Sequence, residues 1–459
     1  MKKFLFFVFV LSGLLAKGQH YYNEWIDYTK TYYKFKIAKT GLCRIPQTTL
    51  AAAGLGSEAA ENFQLWRNGE QVPLYTSATS GAFSPSDYIE FWGVMNDGKP
   101  DKELYRKPEF QLNDKWSLET DTATYFLTVS TSGTNQRLAE TANNTAGNTL
   151  TPEPYFMHTA GTYYRSQLNP GFAINVGQYL YSSSYDNGEG WTSTNIDSVN
   201  VLTTNLTDLY VYPSGPDAVL KFTAFGKAIQ TRRIGVRINN TIIDTTLHMD
   251  FFDAARKSYP VPISLLASNI ANIEFDNIAQ VAGDNIVIAQ HELIYPRLFN
   301  FGGATNFEFT LSGKSTESYL EISGFAYGAA PPVLYDLTNG KRYVGDITGA
   351  PVVSFLIAPS TTERKLVLVR NETANTSAIN ALEERNFINY TDAASSGNYL
   401  IITNERLLNS LGGANPVEEY RSYRSSAAGG GYNAKIYLES ELTDQFGYGI
   451  KKNPIAIRN

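Results

Sequence analysis

The 459-residue chain is 43% hydrophobic and 18% charged, with a formal net charge of −6. That balance excludes a mainly disordered chain, and with no long basic run there is no nucleic-acid footprint, so no nucleic acid is expected as a partner. Thirty Tyr and 25 Phe against four Met favour strands over helices, in a length that suits roughly two to four domains.

At the N-terminus, Lys2 and Lys3 precede an apolar stretch over 4–15, followed by the small residues Ala16 and Gly18. This is the pattern of a signal peptide, too short to span a bilayer. Residues 1–18 are expected to be removed between Gly18 and Gln19, which makes the protein exported. No later segment is long and apolar enough to cross a membrane. The single cysteine, Cys43, cannot form an internal disulfide, so stability must come from packing.

Residues 19–150 read as a β-rich N-terminal domain. Tyr32–Ile37 alternates long apolar with charged residues, as a half-buried strand does. A second strand over 42–45 leads into a short helix over 48–53, closed by Gly54. Further strands are expected at 87–92 and 124–129. The Thr, Asn, Ser and Gly-rich stretch 131–151 reads as a loop. Residues 151–392 read as a β-sandwich region of one or two domains. Its expected strands are 198–202, 208–212, 218–225, 234–238, 270–275 and 285–294, then 307–311, 319–322, 333–337, 352–357 and 365–369.

From 393 to 459 the pattern changes. The apolar run Tyr399–Thr403 is of the kind buried on both faces of a parallel sheet. Asn404 can cap a helix that Gly412 and Gly413 end. Asn415-Pro416 starts another, which runs through Val417, Tyr420 and Arg424 to the glycines 429–431. Ala434–Leu438 is the next strand, 441–446 a short helix, and Asn453-Pro454 a further helix start. Two parallel strands bury too little to be stable alone. More strands are therefore expected, either further along a longer chain or from a second one.

Motifs for chemistry are sparse. Cys43 sits between apolar neighbours with no nearby histidine and reads as a core residue. His20, His158, His248 and His291 form no metal-binding spacing, so no metal ligands are assigned. Asn96-Asp97-Gly98 and Asp186-Asn187-Gly188 resemble the middle of a calcium loop but lack its earlier ligands. They read as turns, with calcium left as the one cofactor the residues would permit. Gly54-Leu55-Gly56 and Gly313-Lys314-Ser315 mimic phosphate loops but lack the strand-to-helix context. Glu189 and Trp191 are the candidate binding residues: glycines flank Glu189, allowing close approach, and Trp191 can stack on a ligand. The rival reading is a tight turn over a packed aromatic.

The C-terminal stretch resembles the opening of the gingipain-type cysteine peptidase domain. The residues concerned are Asn398-Tyr-Leu-Ile-Ile-Thr403, Glu419-Tyr-Arg421, and Asp444-Gln-Phe-Gly-Tyr-Gly449 leading to Asn453-Pro-Ile-Ala-Ile-Arg458. The upstream segment 333–340, Tyr295-Pro296-Arg297, and the stretches 181–191 and 87–105 resemble the N-terminal region of PorU-type sortases of the type IX secretion system. The resemblance implies tandem β-sandwich-like domains followed by the incomplete start of a caspase-like α/β domain. It also implies a Cys–His dyad that cleaves peptide bonds by thiolate attack. No histidine follows His291 and no cysteine follows Cys43, so no catalytic residue is assigned here.

The expected function is that of the N-terminal portion of such an exported endopeptidase, inactive on its own. Peptide or protein substrates and secretion-machinery proteins would be its partners, at the cell surface, outer membrane or outside the cell. The alternative is an exported β-sandwich module that binds glycans or surface proteins, with Trp191 as a stacking platform. N-terminal sequencing of the exported protein is expected to begin at Gln19; a retained Met1 would refute the signal peptide.

Overall fold

A computed structural model describes residues 21–177, 184–278, 281–409 and 412–459. The expected cleavage site, Gly18 and Gln19, lies outside them, as does His20. The described residues are mainly β, built as three sandwiches, a two-stranded sheet (Gln167–Asn169, Gly190–Thr192) and a small α/β unit.

The first sandwich packs a five-stranded sheet on a four-stranded one. The five-stranded sheet runs Glu383–Arg385, Tyr32–Ile37, Ala123–Val129, Phe63–Arg67, Glu70–Val72. The other runs Thr376–Ala378, Gly41–Pro46, Tyr88–Gly93, Tyr75–Thr76. Their inward residues, among them Phe35, Ile45, Leu65, Phe91 and Leu127, form one core. The chain thus returns to this sandwich at 376–385, after the other two are complete. The helix over Gln47–Ala52 closes through Gly54, whose φ of +80° needs glycine.

The second sandwich pairs two four-stranded sheets. One runs Leu202–Leu206, Ala271–Asn277, Thr231–Ile238, Thr241–Asp250; the other Ala254–Val261, Ala218–Gly226, Ile286–Arg297, Phe156–Tyr163. Alternation is clean in Ala271–Asn277, whose Ala271, Ile273 and Phe275 are buried. The third sandwich has a three-stranded sheet, Asn300–Ala304, Ser318–Phe325, Val353–Ile357. Facing it is a five-stranded one: Asn306–Leu311, Arg364–Val369, Val333–Asp336, Lys341–Val344, Ala139–Thr141.

Two expected strands differ. The segment 208–212 is not a strand: Asp208 and Tyr210 take positive φ, so Leu209 and Val211 both reach the core from an irregular loop. The strand expected at 198–202 begins only at Leu202, because Asp197 Oδ1 accepts the N–H groups of Val199 and Asn200 and holds a turn there.

The α/β unit contains the parallel pair Tyr399–Thr403 and Ala434–Leu438, in register from Tyr399↔Ala434 to Thr403↔Leu438. Between them runs the helix Pro416–Ser425, with Pro at its start and the Asn415 side chain accepting Glu418 N–H at 3.0 Å. Parallel strands require such a crossover. Two short helices, Glu439–Phe446 and Ile455–Arg458, follow.

First and third sandwiches meet across an apolar layer that includes Leu42, Trp92, Tyr335 and Val367. Within it lies Glu90, fully buried. Its carboxylate takes Arg44 Nε at 2.6 Å and the Tyr335 hydroxyl, with Arg342 Nε at 3.9 Å. Arg44 lies over the Tyr88 ring and Arg342 over Tyr75. Burial, and then the Glu90 charge, hold the Tyr335 phenol well above its ordinary range. A carboxylate in such a place is tolerable only when paired, and removing one partner strands the others. Glu90→Ala is expected to lower the unfolding free energy by about 3–5 kcal/mol, read from urea midpoints. A loss below about 1 kcal/mol, the range of surface pairs, would contradict the buried pairing.

Candidate functional site

Glu189 and Trp191 lie where the excursion 96–121 from the first sandwich crosses the edge of the second. Glu189 sits in a tight turn whose flanking Gly188 and Gly190 have φ of +78° and +145°. A Cβ on Gly188 would strike the Phe225 ring at 2.4 Å. The Glu189 carboxylate accepts Asp186 N–H at 2.9 Å, and its carbonyl accepts the Tyr105 hydroxyl at 2.7 Å. Burial raises the pKa of Glu189, with the Asp186 N–H pulling it back. Asp186 in turn accepts Ala173 N–H and the Arg106 guanidinium.

Trp191 lies in the strand Gly190–Thr192 and donates its indole N–H to the Ser117 carbonyl at 3.2 Å. One face is covered by Arg165, whose guanidinium carbon sits 5.0 Å from the Trp191 ring centre and 5.0 Å from that of Trp116. Asp121 fixes the same guanidinium at 2.7 Å. This cation between two indoles ties the excursion to the second sandwich. Nothing in the sequence points to Arg165, because its partners lie in distant segments.

Of the other sequence candidates, Asp186-Asn187-Gly188 leads into the Glu189 turn itself, and the rest lie apart. Asn96 is buried, with its amide donating to Thr120 O and its backbone N–H to Asp121 O. Among the described residues no three His, Cys, Asp or Glu side chains converge on a metal position. Cys43 is buried in the first core, its thiol pushed up to about 11 by burial. His158 and His291 are both pushed down to about 4, chiefly by burial. Among the described residues no thiol and imidazole are brought together. Among the described residues no helix is long and apolar enough to cross a membrane.

The second place where segments converge is the dock of the α/β unit on the first sandwich. Asp444, on the helix Glu439–Phe446, is buried between Lys34 Nζ at 2.9 Å and Arg385 Nε at 2.7 Å. Glu383 closes the group, pairing with Lys34 at 3.0 Å and Arg385 at 3.2 Å. Gln445 donates to the Ile388 carbonyl, Thr124 to that of Gly449, and Tyr448 packs edge-on against Tyr22. On the parallel pair, Tyr399 meets Tyr420 of the crossover helix. Leu400 and Ile402, which alternate onto the opposite face, are 61% and 45% exposed. The unit is anchored at one end and carries an open apolar face.

No protein-family model and no curated protein matches this sequence. A solved structure does: dimeric latent PorU from Porphyromonas gingivalis aligns with 92% of this chain at a TM-score of 0.53 and 12% identity. The chain has a PorU-like fold. It spans 38% of the length of that PorU chain. Far weaker likenesses are to BpGH86A, a beta-porphyranase from Bacteroides plebeius, and to beta-glucuronidase 2 from Bacteroides uniformis. The first aligns with 59% of this chain and 35% of its own at 10% identity and a TM-score of 0.20. The second aligns with 52% and 26% at 13% identity and a TM-score of 0.17. At those scores neither bears on the architecture. The PorU alignment takes in nearly the whole chain, as it must if the docked α/β unit and the sandwiches form one PorU-like portion.

The excursion is itself anchored by Asp101, which is 1% exposed and accepts Leu118 N–H at 2.7 Å and the Ser117 hydroxyl at 3.1 Å. Burial raises its carboxyl to about 7. An acid whose pKa is higher folded than unfolded binds its proton more tightly in the fold. Its contribution is therefore full below about 4, the unfolded value, and is lost as pH rises through 7. The denaturant midpoint is expected to fall between pH 5 and pH 8, and Asp101→Asn to flatten that fall. Parallel profiles for the two proteins would show that Asp101 ionises normally.

Proposed function

We propose that this chain is the scaffold portion of an exported gingipain-like cysteine endopeptidase that works as a sortase of the type IX secretion system at the cell surface. The observation that carries the reading is the PorU-like fold across 92% of the chain, ending in a docked strand–helix–strand unit. The ordered sequence resemblance points the same way. In this reading the open face at Leu400 and Ile402 receives the rest of a parallel α/β sheet, since such sheets are covered on both faces. The Cys–His dyad would sit on that remainder, because among the described residues Cys43 has no histidine partner. The three sandwiches would hold the catalytic sheet in place and present substrate proteins or secretion-machinery partners to it.

The rival reading, a sandwich that binds glycans or surface proteins with Trp191 as its platform, is weakened by the surroundings of Trp191, one face of which Arg165 already covers. The test is to label the exported fraction with a thiol-directed peptidase probe and identify what is labelled. The expected result is a labelled assembly that contains peptides of this chain, while isolated residues 19–459 cleave no peptide in a thiol-inhibitor-sensitive way. Inhibitor-sensitive cleavage by the isolated chain, or labelled assemblies that never contain it, would overturn the reading.

A further inference from the structure

A cavity of about 750 Å³ lies between the excursion 98–114 and the outer face of the sheet Ala254–Val261, Ala218–Gly226, Ile286–Arg297, Phe156–Tyr163. A second hollow of about 290 Å³ shares Thr223, Arg256 and Gln290 with it, so the two form one groove across the strands. The cross-strand register explains the floor. Thr223 stands opposite Arg256 on one side and Gln290 on the other, and Lys221 opposite Ser258 and Glu292. These alternate with the buried Leu220, Phe222 and Leu293, so the outward row is polar throughout.

The roof is fixed in place. Leu112 packs into the apolar group of Phe225, Val287 and Ala289, and Asn113 donates to the Ala289 carbonyl. Arg256 donates to the carbonyls of Glu109 and Gln111. Asp101 holds the other end. Such a groove is preorganised, which lowers the ordering cost of binding.

Its chemistry is unbalanced. Five cations line it, Lys99, Lys102, Lys221, Arg256 and Lys257, against the carboxylates of Glu109, Asp114 and Glu292. Glu292 already accepts the Tyr163 hydroxyl at 2.6 Å, and Lys99 already has Asp97 at 3.4 Å. Among the described residues, Lys102, Lys221, Arg256 and Lys257 have no carboxylate within 4.0 Å. This concentration of positive charge stands in a chain of net charge −6. Gln290 Oε1 is buried in the floor without a donor. Among the described residues, no aromatic ring face lines the larger cavity for a sugar or a base to stack on.

We propose that this groove binds an acidic peptide segment in extended conformation, a site separate from the catalytic reading above and not dependent on it. Side-chain carboxylates meet the unpaired lysines and Arg256, and a backbone N–H satisfies Gln290 Oε1. A sulfated sugar polymer offers the same charge, but its rings find no aromatic face in the larger cavity to stack on, whereas an extended peptide brings a backbone N–H with each residue.

The test uses the full mature chain and a fluorescein-labelled twelve-residue oligoglutamate, read by anisotropy. Binding is expected to saturate and to weaken with salt. The triple variant Lys102→Glu, Lys221→Glu, Lys257→Glu is expected to bind at least about tenfold more weakly. Those lysines are exposed, so the variant should keep the parent's circular dichroism and melting temperature. Gln290→Leu is expected to weaken binding about threefold or more with no change in salt dependence. Equal affinity of parent and triple variant would overturn the proposal. So would tight, variant-sensitive binding of a heparin-derived sulfated oligosaccharide by a protein that ignores oligoglutamate.

Discussion

Asp444 sets how the molecule is joined. It is a buried carboxylate gripped by Lys34 from the first strand of the first sandwich and by Arg385 from its last. Those two cations are neighbours only because Glu383–Arg385 pairs antiparallel with Tyr32–Lys34. The last strand must therefore close the sheet before Asp444 has both of its cations. Burial still raises the Asp444 pKa despite the two cations, so the pairing compensates a desolvation cost and does not exceed it. Such a joint contributes orientation more than stability: a helix that can seat in one place only fixes the direction in which the parallel strands leave the sandwich.

The strands were legible wherever alternation and burial agree. Tyr32–Ile37 begins and ends where its pattern says it should, and Asn415-Pro416 marks a capped helix start that the structure keeps. The short edges were not legible. Thr376–Ala378, Glu383–Arg385 and Ala139–Thr141 have little β propensity and are strands only because a neighbouring sheet offers a free edge. The loop over 208–212 misled for the opposite reason: apolar residues alternate there, but two positive-φ residues break the backbone run.

Sites were harder to read than strands, because polar partners carry no local signal. Lys34 and Asp444 are 410 residues apart, and Glu90 looks like an ordinary charged residue on a half-exposed strand until the third sandwich covers it. Trp191 was visible as an unusual residue, yet what decides its surroundings is Arg165. The polar groove was invisible for a related reason. Its floor is the solvent face of an ordinary strand pattern, and only the excursion arching above it turns that face into a hollow.

The return of the chain to its first sandwich has a consequence for assembly order. The five-stranded sheet gains its outer strand only when residue 385 is available, whereas the second and third sandwiches draw almost entirely on residues before 370. A chain emerging N-terminus first therefore carries an unfinished sheet at its leading end while the middle of the molecule condenses. Contacts that span the whole sequence form slowly, and an open strand edge invites foreign pairing in the interval. The leading end of this protein thus stays open to foreign pairing until residue 385 has emerged, long after its own first strands are made.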